Sequence, residues 1–126
     1  REECFIGTRT RHPFEGEVKL GLKKDGTFTA FDVKVWSKTV AYASHCHSIA
    51  GAAGSKSPYL YPRAALRYEA TTYYANVPSA GALRGYGQPQ VTFIMDCLVE
   101  EAAHALKMDP LELRLKNVAR IGDVCQ

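Results

Sequence analysis

The 126-residue sequence contains few cysteines, and none of them has the spacing of a metal or cluster ligand. Cys4, Cys46, Cys97 and Cys125 lie far apart, and no CxxC pair occurs. Structural zinc sites and iron–sulfur clusters are usually built on such pairs, and disulfide-rich domains carry more cysteine in a shorter chain. We therefore expect no metal site and no disulfide, and we predict that Cys97 is a small buried side chain on a helix.

Long apolar runs and blocks of like charge are also missing. Apolar runs such as residues 93–95 fall far short of the roughly 20 residues that cross a bilayer. The formal net charge is only +3, and lysines such as Lys19 and Lys23 stand among acids such as Glu17 and Asp25. We therefore expect no membrane-spanning segment and no nucleic-acid-binding face.

The length of the chain and its two ends suggest how it is organised. A chain of 126 residues, 46% of them hydrophobic, is the size of one ordinary domain with a modest core. It opens on Arg1 rather than methionine, and it ends just after a Gly-Asp turn signal at residues 122–123. We expect residues 1–126 to form a single domain that is a fragment of a longer polypeptide.

A β-hairpin is predicted in the first third of the chain. Residues 17–22 alternate between apolar and polar side chains, as in a half-buried strand. The dipeptide Asp25-Gly26 favours a tight turn because it tolerates the positive φ that such turns require. Residues 27–35 then supply the second strand, and the alternation in residues 64–74 predicts a third.

Helices are predicted mainly in the second half. The small residues of segment 42–54 fit either a short helix or a tightly packed loop. A glycine-rich loop, residues 78–87, precedes a helix that has Pro89 in its first turn and ends near Lys107.

A second C-terminal helix is predicted directly after the first. Asp109 is a suitable N-cap, and Pro110 suits the first helical position. Its expected apolar contacts come from Leu111, Leu113, Leu115 and Val118. The predicted fold is α+β, with an antiparallel β-hairpin and a further strand packed with two C-terminal helices.

The glycine-rich loop is the segment most suited to contacting a ligand. Gly85 and Gly87 flank Tyr86, with Arg84 just before them and a helix start just after. Glycine lets the backbone approach a ligand, a helix start offers free N–H groups, arginine can pair with a carboxylate or carbonyl, and tyrosine can stack on a flat ring. An ordinary loop and helix cap is the simpler interpretation, because neither a nucleotide fingerprint nor a P-loop is present.

Other polar residues give weaker signals. The His-Cys-His run at 45–47 lacks further ligands at a suitable spacing. Arg9, Arg11 and His12 form either an anion site or, more simply, a basic turn packed against its own domain. The adjacent glutamates at 100–101 would face different directions on a helix, so they make no acid/base pair. We predict no catalytic residue in this chain.

Several motifs resemble the xanthine dehydrogenase and aldehyde oxidase family. Asn-Val-Pro-Ser at 76–79, Leu-Arg-Gly-Tyr-Gly at 83–87 and Pro-Gln at 89–90 resemble the substrate-pocket loop of these enzymes. The resemblance extends back to Arg-His-Pro-Phe at 11–14 and forward to Arg-Leu-Lys-Asn at 114–117. It covers nearly the whole chain and is greatest for the bacterial multi-subunit forms.

The resemblance implies a piece of the molybdopterin subunit of a molybdenum hydroxylase. Such enzymes use a molybdenum–molybdopterin cofactor to insert a water-derived oxygen into a C–H bond of a heterocycle or aldehyde, and two electrons leave through iron–sulfur clusters and FAD. Arg84 and Tyr86 would then contact the substrate, and Leu83, Arg84 and Gly85 would lie against the cofactor. The family's glutamate base is not matched in this chain, so we expect no activity from the fragment alone.

One position departs from the animal xanthine dehydrogenases. They place a purine-contacting arginine after a Ser-Ile-Met-Glu-like run, whereas Ala52 stands at that position here. The resemblance therefore implies other N-heterocycles or a differently bound purine as substrate, with Ala52 lining the pocket. The expected partners are the remainder of the molybdopterin subunit, FAD and iron–sulfur subunits, and a small heterocycle, in the cytoplasm.

Two alternatives remain open. The chain could be a non-catalytic binding or assembly module that keeps the fold, which the departure at Ala52 favours. It could also be a self-contained small α+β domain without a cofactor, although its apparently truncated ends argue against this.

Overall fold

A computed structural model describes residues 1–40 and 42–124 of the chain. The elements are, in chain order, α1 (Glu2–Gly7), β1 (Phe14–Leu22), β2 (Phe28–Thr39), α2 (Cys46–Lys56), a short 3-10 turn (Ser57–Tyr59), β3 (Ala65–Tyr74), α3 (Gln88–Leu106) and α4 (Pro110–Asn117). The α+β prediction is confirmed. Helix α1 was not predicted, and Cys125 lies outside the described residues.

The predicted hairpin is present and forms one side of a three-stranded sheet. Strands β1 and β2 pair antiparallel, with Val18 opposite Val33. The turn between them has Gly26 at φ +83°, and the Gly26 amide donates to the Lys23 carbonyl at 2.9 Å. An Asp-Gly turn favours this pairing because glycine adopts a positive φ without a steric cost.

The third strand joins the sheet in the opposite sense. Strand β3 pairs with β2 in parallel, so the sheet order is β1-β2-β3 and the sheet is mixed. Parallel neighbours need a crossover, and helix α2 supplies it. The segment 42–54, which was compatible with a helix or a loop, is therefore helical from Cys46 onward.

The core lies between one face of the sheet and the helices. Helix α3 packs on β1, α2 packs on β3, and the two helices contact each other. The core residues with the lowest exposure come from β2, α2, α3 and α4, and they include Val33, Ala53, Val99, Ala103 and Leu113. The buried stripe of α3 therefore faces the sheet.

Two predictions about side-chain direction are wrong. Cys97 is exposed, because the buried stripe of α3 runs through Met95 and Val99 and a residue midway between them points to the other side. On α4, Leu113 is fully buried whereas Leu111 and Leu115 are exposed. Only one face of this short helix meets the core.

The hairpin and α4 are joined by a buried amide. The Asn117 side chain accepts a hydrogen bond from the Phe28 amide at 2.8 Å and donates to the carbonyls of Gly26 and Leu113 at 2.8 and 2.9 Å. The predicted cap of α4 is confirmed, since the Asp109 carboxylate accepts from the amides of its second and third successors. No helix within the described ranges combines the length and apolarity of a membrane span.

Candidate substrate-pocket loop

The glycine-rich loop starts from a short backbone pairing with the N-terminal segment. The Thr10 amide donates to the Ser79 carbonyl at 3.0 Å, and the Gly81 amide donates to the Thr10 carbonyl at 3.0 Å. These bonds make a parallel bridge between Thr10 and Ala80. The loop therefore begins at a defined place beside the Arg-His-Pro-Phe turn.

Three successive residues give the loop a left-handed backbone. Gly85, Tyr86 and Gly87 have φ values of +97°, +48° and +93°. A positive φ is sterically unfavourable for tyrosine but not for glycine, which has no Cβ atom. Gly87 also sits against α2, because a Cβ atom there would lie 2.5 Å from the Ile49 carbonyl oxygen. The glycine spacing seen in the sequence thus has a packing reason.

The guanidinium group of Arg11 binds the middle of the loop. Arg11 Nη2 donates to the Arg84 carbonyl at 2.7 Å, and Arg11 Nη1 lies 3.4 Å from Gln90 Oε1. Gln90 Nε2 donates to the His12 carbonyl at 3.1 Å, which closes the connection. The simpler prediction for this basic turn, packing against its own chain, is confirmed for Arg11 and His12.

His12 supports the same turn from inside the fold. Its side chain is 2% exposed, and Nδ1–H donates to the Lys38 carbonyl at 3.0 Å. The neighbouring Lys38 amide donates to the Pro13 carbonyl at 3.2 Å. The end of β2 is therefore tied to the turn that carries Arg11.

Tyr86 lies against α2 rather than pointing freely into solvent. Its hydroxyl is hydrogen-bonded to Nδ1 of His45 at 2.8 Å, and the two rings meet edge to face with centroids 5.9 Å apart. The Lys56 amino group is 6.0 Å from the centroid of the Tyr86 ring. Ala52 is half-buried one turn before Lys56, so it shares that side of α2.

Helix α2 is itself fixed to the sheet by a half-buried tyrosine, Tyr68. The Tyr68 hydroxyl on β3 donates to the Ala50 carbonyl at 2.8 Å. Burial raises the pKa of Tyr68 to about 12, because the charged phenolate would lose its hydration. The neutral hydroxyl therefore keeps donating this bond at any physiological pH.

The predicted cofactor-binding residues form the exposed part of the loop. Leu83 is 42% exposed, and Arg84 and Gly85 are also exposed. The loop's own turn uses the amides of Tyr86 and Gln88. Among residues that the structure describes, the amides of Leu83, Arg84 and Gly85 have no hydrogen-bond acceptor. Three adjacent N–H groups are thus free to bind an electron-rich ligand.

The chain alone does not enclose a substrate. Among the described residues, the space under the loop, between Arg11, His12, Ile49 and Tyr86, is too small to admit a water molecule. Ligand pockets usually have about 300 Å³ or more. A cavity of about 550 Å³ lies at the other end of the sheet, lined by Lys23, Arg63, Lys116 and their neighbours, far from the loop.

Metal ligation finds no support in the side chains. Within residues 1–40 and 42–124, no group of three or more His, Cys, Asp and Glu side chains is arranged to hold a metal ion. In the His-Cys-His run, Cys46 is fully buried whereas both histidines are exposed.

The role of Arg11 as a support of the loop was not predicted, and neither was that of His45. Arg11 and Arg84 are 73 positions apart, and no periodicity links them. The sequence signal for this contact was that two unusual motifs, residues 11–14 and 83–87, occur in one chain. Motifs that form one site lie close together in space.

Comparison with known proteins identifies the family. Residues 1–118 match the family described as molybdopterin cofactor-binding domain. With most of its length matched, this chain belongs to that family. The chain is 53% identical over 123 residues to the xanthine dehydrogenase molybdenum-binding subunit of Escherichia coli O157:H7, an alignment that covers 98% of this chain and 16% of the relative.

Solved structures agree with this assignment. The aldehyde oxidoreductase from Desulfovibrio gigas superposes with a TM-score of 0.79 at 33% identity, over 93% of this chain and 13% of that chain. Quinoline 2-oxidoreductase from Pseudomonas putida 86 gives a TM-score of 0.82 at 25% identity, over 97% of this chain and 16% of that chain. The chain spans only about one sixth of the length of the curated relative.

Proposed function

We propose that this chain is the part of a molybdenum hydroxylase that carries its substrate-pocket loop, and that the parent protein hydroxylates N-heterocycles or purines. The observation that carries the proposal is the exposed segment Leu83, Arg84 and Gly85, held by Arg11 in a chain of the molybdopterin-binding family. The named substrates of the relatives, xanthine and quinoline, are both flat nitrogen heterocycles.

The loop suits a molybdenum–molybdopterin cofactor. Its free amides at Leu83, Arg84 and Gly85 are hydrogen-bond donors, and the cofactor's oxygen and sulfur atoms are acceptors. When bound, the cofactor supplies the oxygen transfer and accepts the two electrons. The backbone of these three residues would hold it, and the bond from Arg11 to the Arg84 carbonyl would keep their amides facing it.

Arg84 and Tyr86 would position the substrate. The Arg84 side chain is exposed and can fork to a carbonyl or carboxylate on a heterocycle. The Tyr86 ring is half-buried, held by His45, and leaves part of its surface for a flat substrate. Ala52 would line the same side with a short side chain and leave room for the ring.

The rest of the parent protein would complete the site. The space under the loop is too small for a heterocycle, so the substrate would lie on the exposed side and be enclosed by segments outside this chain. Large exposed apolar side chains, such as Phe93 at 71% exposure, support the proposal that other segments of the parent protein cover this face of the chain. We further propose FAD and iron–sulfur subunits as partners, and a cytoplasmic location.

The test uses the full-length parent complex. Molybdenum content and hydroxylation of a panel of heterocycles are measured for the wild type, for Arg84→Ala, and for Arg120→Ala as an exposed control arginine outside the loop. We expect Arg84→Ala to keep its molybdenum and to lose about 10- to 100-fold in kcat/KM, the effect of one hydrogen bond from a charged donor. Arg120→Ala should stay within twofold of the wild type, by order of magnitude.

Two results would contradict the proposal. If Arg84→Ala behaves like Arg120→Ala in a molybdenum-loaded complex, Arg84 does not contact the substrate. If the parent holds no molybdenum under conditions that load other molybdenum enzymes, the enzyme function is wrong. The binding or assembly module, which the small Ala52 favours, would then replace it.

A further inference from the structure

The two segments that meet at Tyr86 contain basic residues and no acidic ones. Neither segment 33–68, which contains α2, nor segment 70–95, which contains the glycine-rich loop, has an aspartate or glutamate. Two basic side chains nevertheless lie beside Tyr86, namely His45 and Lys56, and the exposed Arg84 precedes Tyr86 by two residues. The ion pairs found among the described residues involve the sheet, the hairpin turn and the C-terminal segment, and none includes Lys56 or Arg84.

Lys56 is placed to reach this surface. It occupies the last turn of α2, it is half-buried, and its amino group lies 6.0 Å from the centroid of the Tyr86 ring. The preceding residues of α2, from Ala50 to Ser55, are all small, so Lys56 is the long side chain that extends from this part of the helix towards the loop. That distance is at the outer limit of the range over which a cation is attracted to an aromatic face.

A cation held beside a ring and left without a carboxylate partner suits an anionic ligand. A flat heterocycle that lies along Tyr86 would bring any substituent on its edge close to Lys56 or Arg84. A carboxylate there would gain a charge-assisted hydrogen bond, whereas a neutral amide of the same shape would gain less. Partial burial of Lys56 reduces the screening of this attraction by water.

We infer that Lys56 is a specificity-determining residue that selects heterocycles bearing a carboxylate. This inference rests on the function proposed above, and it adds the substrate class. Arg84 orients the ring through its acceptor groups, and Lys56 discriminates the charge of the substituent.

The experiment compares matched substrates in the holoenzyme. A panel of flat heterocycles is assayed, each as its carboxylate and as its carboxamide, for example pyridine-3-carboxylate and pyridine-3-carboxamide. The variants are Lys56→Met, which keeps the aliphatic stem, Lys56→Arg, which keeps the charge, and Lys24→Met, an exposed lysine in the hairpin turn, as the control. Molybdenum content is measured for each.

We expect the wild type to prefer the carboxylates, and we expect Lys56→Met to reduce that preference about tenfold, mainly through KM. Lys56→Arg should restore most of the preference, and Lys24→Met should leave it unchanged. Added salt should weaken the preference of the wild type more than that of Lys56→Met.

The outcomes separate this inference from the proposed function. If a molybdenum-loaded enzyme hydroxylates the carboxamides at least as well as the carboxylates, or if Lys56→Met lowers both equally, the inference is overturned and the hydroxylase function stands. A lower molybdenum content in Lys56→Met would mean that the Lys56 charge helps to bind the cofactor and does not select the substrate. That result would also overturn the inference. If no heterocycle is hydroxylated at all, the proposed function itself fails.

Discussion

Replacing Arg11 tests whether the loop is held in position by a residue far from it in sequence. Arg11→Met keeps most of the apolar stem of the side chain but removes the guanidinium that binds the Arg84 carbonyl at 2.7 Å and approaches Gln90 at 3.4 Å. A hydrogen bond from a charged donor contributes about 1.5–3 kcal/mol. The bond to Gln90 is long and contributes little.

The size of the effect follows from the exposure of this bond. Water can replace part of the lost interaction, because the contact between Arg11 and Arg84 is exposed. We therefore expect the loop to lose about 1.5–2 kcal/mol of its resistance to opening, close to the lower limit for charged hydrogen bonds. That corresponds to about 10- to 30-fold faster hydrogen exchange of the Tyr86 and Gln88 amides, which are hydrogen-bonded within the loop. The kcat/KM of the holoenzyme should fall about three- to tenfold, because misplacement of substrate contacts slows turnover.

The assay is hydrogen exchange followed by mass spectrometry on the full parent complex, together with steady-state kinetics. Arg11→Lys should give an intermediate result, since a single ammonium group cannot fork between two acceptors. Arg9→Met serves as the control for loss of a nearby positive charge. Exchange of the Tyr86 and Gln88 amides that stays within twofold of the wild type in Arg11→Met would refute the idea that Arg11 orders the loop, whatever its effect on activity.

Three further predictions concern the surrounding structure. Gly87→Ala should lower activity at least about tenfold, because alanine is strained by about 1–2 kcal/mol at a positive φ and its Cβ would clash with the Ile49 carbonyl; wild-type kinetics in the purified variant would contradict this. Asn117→Ala should leave the Phe28 amide without its partner and speed hydrogen exchange of the hairpin about 5- to 160-fold, since a buried unpaired group costs about 1–3 kcal/mol. Tyr68 has a pKa raised from 10.0 to about 12, so its neutral form stabilises the fold fully below pH 10.0 and that contribution is lost as the pH rises towards 12; the difference in tyrosinate absorbance between wild type and Tyr68→Phe should have its midpoint near pH 12, and a midpoint near 10 would mean that the ring is solvated.

The parts of the fold that depend on neighbours in sequence were predicted well. The Asp25-Gly26 turn and the Asp109 cap act within a few residues, so their chemistry is visible in the sequence itself. The direction of β3 was not predicted, because it depends on the path of the chain through α2. Cys97 was assigned to the wrong side of α3 because apolar character alone does not reveal which face meets the sheet.

For the site, the motif at residues 83–87 could be recognised from the sequence, and the assignment to the molybdopterin-binding family followed from it. The residue types also indicated backbone donors and an exposed arginine. The contact that holds these donors and this arginine in place could not be predicted from the sequence. Arg11 reaches Arg84 only after the N-terminal segment pairs with residues 79–81. The tertiary structure alone decided that contact.

The same holds for the position of Lys56 beside Tyr86. Positive charge and the lack of acids in segments 33–68 and 70–95 are properties of the sequence. Their meeting on one surface requires α2 to cross from β2 to β3 and to pack against the loop at Gly87. Local chemistry therefore determined which groups are available, whereas chain topology determined which of them face each other, because contacts between distant residues exist only once the crossover has closed.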